Sequence, residues 1–168
     1  MSAGLPTITS TGIHQYLKIS AISSEFEMKA DDHKMIIVTL YLRGDDLDPE
    51  VVTKKLGIRP SRFQRKGEKK VTSTKHEYLA KMGTWGLIAD SESCLLADHI
   101  TALASNIVAD GDVLIKLPGV QEAYIDIFIA PTAGQDGGTR ELELSKENLT
   151  QLARMGLPVR LTISHVKE

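Results

Sequence analysis

Regular alternation of apolar and polar residues predicts four β-strands in this chain. The clearest covers Met35 to Arg43 and is rich in β-branched residues. One of its faces carries Ile36, Val38, Leu40 and Leu42, and the other carries Ile37, Thr39, Tyr41 and Arg43. The other three strands are Thr84 to Ala89, Ala123 to Ala130 and Pro158 to Ser164. Two weaker patterns, Tyr16 to Ile22 and Glu141 to Leu144, favour additional short strands.

A helix with clear boundary signals follows the first strand. Asp48 can serve as its N-cap, because a carboxylate accepts hydrogen bonds from free N–H groups of the first turn. Pro49 suits the first helical position, where its missing N–H has no consequence. Gly57 can adopt the left-handed conformation that ends a helix. We therefore predict a short helix between Asp48 and Gly57.

Apolar residues at helical spacing predict two further helices. The longer one covers about Glu92 to Val108, with Ser91 as its N-cap and His99 on its flank. The other begins after Ser145 and ends at Gly156, with a proline beyond it.

These elements predict an α+β fold: a single mostly antiparallel or mixed sheet with about three helices packed on it, in a ferredoxin-like arrangement. We interpret residues 1–16 as a loose N-terminal tail and residues 17–168 as one domain. Pro131 to Thr139 is a glycine-rich connection within it. The predicted core consists of Ile36, Val38, Leu40, Leu42, Val52, Leu56, Trp85, Leu87, Leu96, Ile100, Leu103, Ile107, Ile125, Ile127, Ile129, Leu149, Leu152, Leu161 and Ile163.

The composition is that of an ordinary globular domain. The chain has 168 residues, of which 42% are apolar and 25% charged, enough for one core and unlike a disordered or fibrous chain. The single cysteine, Cys94, excludes an internal disulfide and a zinc site built on cysteine pairs, and we interpret it as a small buried side chain. The N-terminus lacks the basic and apolar regions of a signal peptide, and no apolar run has the ~18 residues of a membrane helix. We therefore expect a cytoplasmic protein.

A net charge of −2 conceals a strongly uneven distribution. Between Lys54 and Lys81 ten basic residues stand against two acidic ones, so this basic segment carries +8 and the rest of the chain −10. Three interpretations stay open: a solvated loop, a surface for an acidic protein partner, or a phosphate-binding surface for RNA or DNA. Only one aromatic residue, Phe63, stands among the arginines of this segment, and this, an acidic remainder and no RNA-binding signature disfavour the third. The predicted partner-binding residues are Arg59, Arg62, Phe63, Arg65, Lys66, Lys69 and Lys70.

No arrangement of residues in the sequence indicates an enzyme. The five histidines lack metal-ligand spacing, the serines lack a Gly-x-Ser-x-Gly turn, and the glycine-rich run 134–138 lacks the lysine of a phosphate loop. The acidic run Asp45, Asp46, Asp48 and Glu50 lacks the spacing of a calcium loop, so helix capping and solvation explain it better. We therefore predict no catalytic residue, no metal and no cofactor.

Several motifs resemble the bacterial family catalogued as domain of unknown function 4279. They are the run Gly44 to Glu50, the run Leu56-Gly57-Ile58-Arg59-Pro60-Ser61-Arg62, the basic pair before Gly67, the strand beginning Thr84-Trp85-Gly86-Leu87, and Leu144 to Leu149. The resemblance covers roughly Met35 to Ser164, although the stretch between Gly67 and Thr84 is more charged than the family leads us to expect. It implies a small α+β domain and transfers no catalytic residue. Small bacterial domains of this style often occur as immunity proteins beside toxins. We therefore expect a non-enzymatic immunity protein that neutralises a toxin by direct docking, with a nucleic-acid-binding module as the alternative.

Overall fold

The computed structural model describes residues 36–71, 75–130 and 142–164 of the chain. Within them lie seven strands: β1 (Ile36–Gly44), β2 (Arg62–Gln64), β3 (Lys69–Val71), β4 (Glu77–Leu79), β5 (Gly83–Ile88), β6 (Glu122–Ile129) and β7 (Val159–Ile163). The same residues form four helices: α1 (Pro49–Leu56), α2 (Leu96–Asn106), α3 (Gly111–Ile115) and α4 (Lys146–Met155). The predicted tail, the predicted strand Tyr16 to Ile22 and the predicted connection Pro131 to Thr139 lie outside the described residues.

Five of the strands form a mixed sheet in the order β2-β5-β1-β6-β7. β1 pairs antiparallel with β5 and with β6, β2 pairs antiparallel with β5, and β6 and β7 are parallel. The helices pack on one face, where α1 contacts β5, α2 contacts β1, and α3 contacts β6. The predicted α+β class with a mixed sheet is therefore confirmed.

Two finer features of the predicted fold are not confirmed. β3 and β4 form a second, two-stranded sheet, so the prediction of one sheet is wrong. A ferredoxin-like fold has two β-α-β units that are each split by an inserted strand. Here β1 lies between the parallel strands β5 and β6, but β6 and β7 are direct neighbours joined through α4.

The cap residues of α1 and α4 behave as predicted. The Asp48 carboxylate accepts a hydrogen bond from the Glu50 N–H, and Gly57 ends α1 with φ 69°. Ser145 caps α4 together with the Asn148 side chain, and Gly156 ends that helix with φ 60°. These signals are local, so the sequence suffices to find them.

The second helix begins later than predicted. It starts at Leu96, and Ser91 is not its N-cap. The Ser91 and Ser93 hydroxyls instead accept hydrogen bonds from N–H groups two residues ahead, at 3.3 and 3.0 Å, which holds this stretch in turns that compete with a helix. The sequence pattern did not predict the short helix α3, although Asp110 caps it.

The core agrees with the predicted residues except at the sheet edge and on α4. Leu149, Leu161 and Ile163 are 52%, 56% and 50% exposed, contrary to the prediction. Leu161 and Ile163 belong to the edge strand β7, whereas the helices contact mainly β1, β5 and β6. The described residues 142–144 form no strand, so the weak strand predicted there is wrong.

Two side chains near the start of α2 differ in burial from the prediction. Cys94 is exposed, contrary to the prediction of a buried thiol. His99 is buried, and its Nε2 lies 2.7 Å from the Ser93 carbonyl oxygen. Leu95 occupies the N-cap position of α2, and its side chain makes no capping hydrogen bond. The contact between His99 and Ser93 instead connects the preceding turn to the beginning of the helix.

Candidate partner-binding surface

The described residues of the basic segment, 54–71 and 75–81, include regular secondary structure. The segment contains β2 and the hairpin formed by β3 and β4. The hairpin is held at its base, where the Gly67 N–H donates to the Ala80 carbonyl at 2.7 Å and the Ala80 N–H donates to the Glu68 carbonyl at 2.9 Å. Ala80 itself is buried. These hydrogen bonds therefore tie the backbone of the described hairpin strands to the rest of the segment.

Ser61 fixes the position of β2 on the sheet. Its N–H donates to the Gly86 carbonyl at 2.8 Å, and its hydroxyl accepts from the Ile88 N–H at 2.9 Å. This register places Arg62 opposite Gly86 and Phe63 opposite Trp85. Successive residues of a strand point to opposite faces, so Arg62 and Phe63 diverge. Arg62 and Phe63 therefore do not share one surface.

Three of the predicted partner-binding residues are already paired within the chain: Arg65, Lys66 and Lys70, whose Nζ lies 3.9 Å from a Glu68 oxygen. Arg65 lies 3.0 Å from an Asp48 oxygen and 2.9 Å from a Glu50 oxygen, and Lys66 lies 2.7 Å from Asp45. Hydrogen bonding to Glu50 raises the pKa of Arg65 above its usual value, with the charge of Asp48 acting in the same direction. The acidic run before α1 thus neutralises the basic pair after β2, so these two cations are less available to a partner.

The remaining predicted residues of this region differ in exposure. Lys70 is half-buried, and its Nζ donates to the Phe63 carbonyl at 3.3 Å. Arg59 and Lys69 are exposed, and within the described ranges no carboxylate pairs with either. The Phe63 side chain is 52% exposed.

The hairpin has an outer face that mixes apolar and charged side chains. The register pairs Lys69 with Leu79 and Val71 with Glu77, and all four are exposed. Val71 and Leu79 have 60% and 57% of their surface exposed. We call these four residues the hairpin outer face.

Opposite the helices, the sheet presents a second face that the sequence reasoning did not identify as a site. We call it the polar face, and it carries Thr39, Tyr41, Arg43, Arg62, Thr84, Tyr124, Asp126 and Arg160. Arg62 lies with its Cζ 4.6 Å from the centre of the Tyr41 ring and donates to the Thr39 hydroxyl at 3.3 Å. A cation over an aromatic face is attracted by the ring, so both contacts fix the Arg62 guanidinium.

A second arginine repeats this arrangement on the same face, near the opposite edge of the sheet. Tyr41 and Tyr124 are register partners with ring centres 5.3 Å apart. The Cζ of Arg160 lies 3.7 Å from the centre of the Tyr124 ring, and its guanidinium bonds the Glu122 carboxylate. Arg62 and Arg160 therefore flank a pair of buried tyrosines, but only Arg160 bonds a carboxylate.

Burial controls the protonation of two groups on this face. Desolvation raises the pKa of Tyr41 to about 12, although the nearby Arg62 charge acts in the opposite direction. Desolvation also raises the pKa of Asp126 above its ordinary value, against the opposing effects of Arg62, a hydrogen bond from Thr162, and Arg160. The face thus keeps a neutral phenol and a carboxylate that is easier to protonate than usual.

The alternation of β1 and β6 contained part of the signal for this face. It placed Tyr41 and Arg43 together on β1, and Tyr124 and Asp126 together on β6. The missing information was the register, which is set by contacts between strands far apart in sequence.

The matching family agrees with the resemblance drawn from the motifs. A family model described as a domain of unknown function, DUF4279, matches residues 33–165, well over half of the chain. The chain belongs to the DUF4279 family. Comparison with curated proteins and with solved structures gives no match.

The motifs that carry the DUF4279 resemblance have identifiable structural roles here. Ser61 fixes β2, Gly86 lies beneath Arg62, and the acidic run before α1 pairs with the basic pair before Gly67. None of the described helices is long and apolar enough to cross a membrane. In the same described ranges, His, Cys, Asp and Glu side chains form no group of three or more that could hold a metal ion.

Proposed function

We propose that this DUF4279 domain is a non-enzymatic bacterial binding protein that acts as an immunity protein in the cytoplasm. It neutralises a cognate toxin by docking directly on it. The docking surface is the edge of the molecule formed by Arg59, Phe63 and the hairpin outer face.

The observation that carries this proposal is the composition of the hairpin outer face. Val71 and Leu79 are exposed apolar side chains held on ordered strands, with Lys69 beside them. Protein interfaces combine apolar contact area with a charged, solvated rim. An isolated two-stranded hairpin is marginally stable, so contacts with a partner would also stabilise it. Lys69 and Arg59, which pair with no carboxylate among the described residues, suit a partner with an acidic surface.

The same geometry gives less support to the alternative, a nucleic-acid-binding module. Arg65 and Lys66 are paired with carboxylates, which reduces the positive potential that phosphates would meet. Phe63 and Arg62 lie on opposite faces of β2, so they cannot form one stacking site. Binding of nucleic acid is therefore one of the results that the test below distinguishes.

The test is co-expression of the tagged chain with the product of the neighbouring gene. We expect the two proteins to co-purify, and we expect the chain to restore growth when that product is toxic. The variant Arg59→Glu with Lys69→Glu should reduce both effects, because it places two carboxylates before an acidic partner. A matched variant, Lys116→Glu with Lys146→Glu, reverses two exposed charges elsewhere and should keep both.

Three results would contradict the proposal. One is a chain that neither co-purifies with the neighbouring product nor protects growth. Another is full protection by the Arg59→Glu, Lys69→Glu variant, which would remove the hairpin region as the docking surface. The third is nucleic acid that accompanies the purified chain and is released steeply with salt, which would favour the alternative.

A further inference from the structure

Within the described residues, β7 is the last strand at one edge of the five-stranded sheet. The Pro158 carbonyl and the Ser164 N–H, which flank β7, each bond the backbone of β6 at 2.9 Å. Backbone groups alternate in direction along a strand, so the even-numbered residues of β7 face β6. The N–H and C=O groups of Val159, Leu161 and Ile163 therefore point outward from the sheet.

The same three residues, Val159, Leu161 and Ile163, also carry the apolar side chains of β7. We call them the edge strip. Their register partners are buried isoleucines of β6, yet each residue of the edge strip exposes about half of its surface. Outward backbone donors and acceptors beside exposed apolar side chains make a template on which another strand can pair.

Two common protections of an edge strand do not apply to β7. Edge strands are often very short or carry a charge that guards the edge. The strand at the other edge, β2, has three residues, whereas β7 has five. The one charged side chain of β7, Arg160, turns away from the edge, because it stacks on Tyr124 and bonds Glu122, both on β6. Its charge therefore does not guard the edge.

The strand β7 is complementary to an antiparallel copy of itself. Apolar and polar residues alternate along it in the same order from either end. A two-fold axis at Leu161 places Leu161 opposite its own copy, Val159 opposite Ile163 of the second copy, and Arg160 opposite Thr162 of the second copy. The outward backbone groups of the two strands then meet. An axis at Arg160 would instead place two like charges directly opposite each other, which is unfavourable.

We propose that two copies of this chain form a symmetric dimer by antiparallel pairing of their β7 strands about a two-fold axis at Leu161. The axis is perpendicular to the sheet, so both edge strips lie on the same side and cover each other. A second copy fits better than an unrelated strand, because it carries the matching pattern and its Arg160 charge is already neutralised by Glu122.

This inference goes beyond the proposed docking function and does not depend on it. The hairpin adjoins β2, where the Lys70 Nζ donates to the Phe63 carbonyl, and β2 lies at the opposite edge of the sheet from β7. Dimerisation through β7 therefore leaves one docking surface accessible on each copy.

Sedimentation velocity of the full chain over about a hundredfold range of concentration tests the dimer, since a dimer dissociates on dilution. We expect the mass to rise from that of the monomer to twice that value. Leu161→Lys should raise the dissociation constant at least about tenfold, because it places two positive charges opposite each other at the axis. Leu79→Lys is the matched control, because it changes a similarly exposed leucine on the hairpin and should leave the dissociation constant unchanged.

Disulfide formation tests the register of the two strands, in a Cys94→Ser background that removes the exposed native thiol. Opposite residues of a hydrogen-bonded antiparallel pair have Cα atoms about 5.5 Å apart, a distance that a disulfide can bridge. Leu161→Cys should therefore cross-link two copies when oxidised glutathione is added. Thr162→Cys is the matched control, because Thr162 lies diagonal to its own copy, at about 7–8 Å, too far for a bridge.

A chain that stays monomeric at every concentration overturns the inference and leaves a strand of this chain or of the docking partner as the occupant of the edge. So does a dimer that Leu161→Lys does not weaken, or cross-linking of Thr162→Cys that equals that of Leu161→Cys. If Leu161→Lys does not fold, the two cysteine variants decide the question. Monomeric Leu161→Lys should still co-purify with the product of the neighbouring gene, so the dimer and the docking function can fail separately.

Discussion

Arg62 stacks on Tyr41 although their strands, β2 and β1, are separated by β5. The residue between them is Gly86, which has no side chain to interrupt the contact. A Cβ at this position would lie 3.0 Å from the Arg62 Cγ and 3.3 Å from the Tyr41 Cε1. The missing side chain is therefore what allows the guanidinium to cross the strand.

Gly86→Ala should displace Arg62 from the Tyr41 ring. The added methyl group would lie closer to the Arg62 and Tyr41 side chains than an ordinary van der Waals contact allows. Overpacking of this kind destabilises a fold by about 1–3 kcal/mol. Denaturant unfolding would measure the loss, and the ring-current shift of the Arg62 protons would report the stacking. In an Arg62→Ala background the cost of Gly86→Ala should shrink, because the nearest obstructing atom is gone. Equal costs in both backgrounds would show that the Arg62 contact does not explain the need for glycine.

The raised pKa of Tyr41 predicts a loss of stability at high pH. The pKa is about 12 in the folded chain, against 10.0 for an unperturbed tyrosine, so between these pH values the folded state holds a proton that the unfolded state has lost. The free energy of unfolding should therefore fall as pH rises through this interval, by up to about 3 kcal/mol from this group. Tyr41→Phe should show a smaller fall over the same interval. A fall of the same size in Tyr41→Phe would assign the effect to other groups.

Arg65 and Arg62 show how much of the candidate site was accessible from sequence. Several local features were correct: alternation identified β1, β5, β6 and β7, and the caps of α1 were identified from Asp48 and Gly57. The concentration of positive charge in the basic segment is also visible in the sequence. Its chemistry depends on contacts between distant residues, however, because Arg65 is neutralised by Glu50 and Arg62 belongs to the polar face. The three-residue strands β2, β3 and β4 are too short to show a period.

The exposed Leu161 illustrates the same limit at the edge of the sheet. Alternation predicted correctly that Val159, Leu161 and Ile163 share a face, since all three are register partners of the buried β6 isoleucines. Burial depends in addition on which helix covers that face, and a strand pattern carries no such information.

The raised pKa of Asp126 predicts that Asp126→Asn is neutral or stabilising at neutral pH. Desolvation penalises the charged carboxylate, so the folded state binds its proton more tightly than the unfolded state does. The associated stability is present below the unfolded pKa and is lost as pH rises through the folded one. The variant should therefore gain most relative to the wild type above this interval, and least at low pH, where both side chains are uncharged. Chemical denaturation below and above this interval, in acid and at neutral pH, measures the difference. A variant that is less stable only at neutral pH would contradict the dominance of desolvation.

Trp85 makes a polar contact between the sheet and α1, and the loss of this contact gives a final prediction. The side chain is fully buried, and its Nε1–H donates to the Thr53 hydroxyl at 3.0 Å. Thr53→Val keeps the shape of the partner but leaves a buried N–H without an acceptor, which should cost about 1–3 kcal/mol. Trp85→Phe removes the donor and also leaves a cavity, so it should cost at least as much. Since both single variants delete the same hydrogen bond, the double variant should be more stable than the sum of the two losses implies. Additive losses in thermal or denaturant unfolding would show that this bond does not couple α1 to β5.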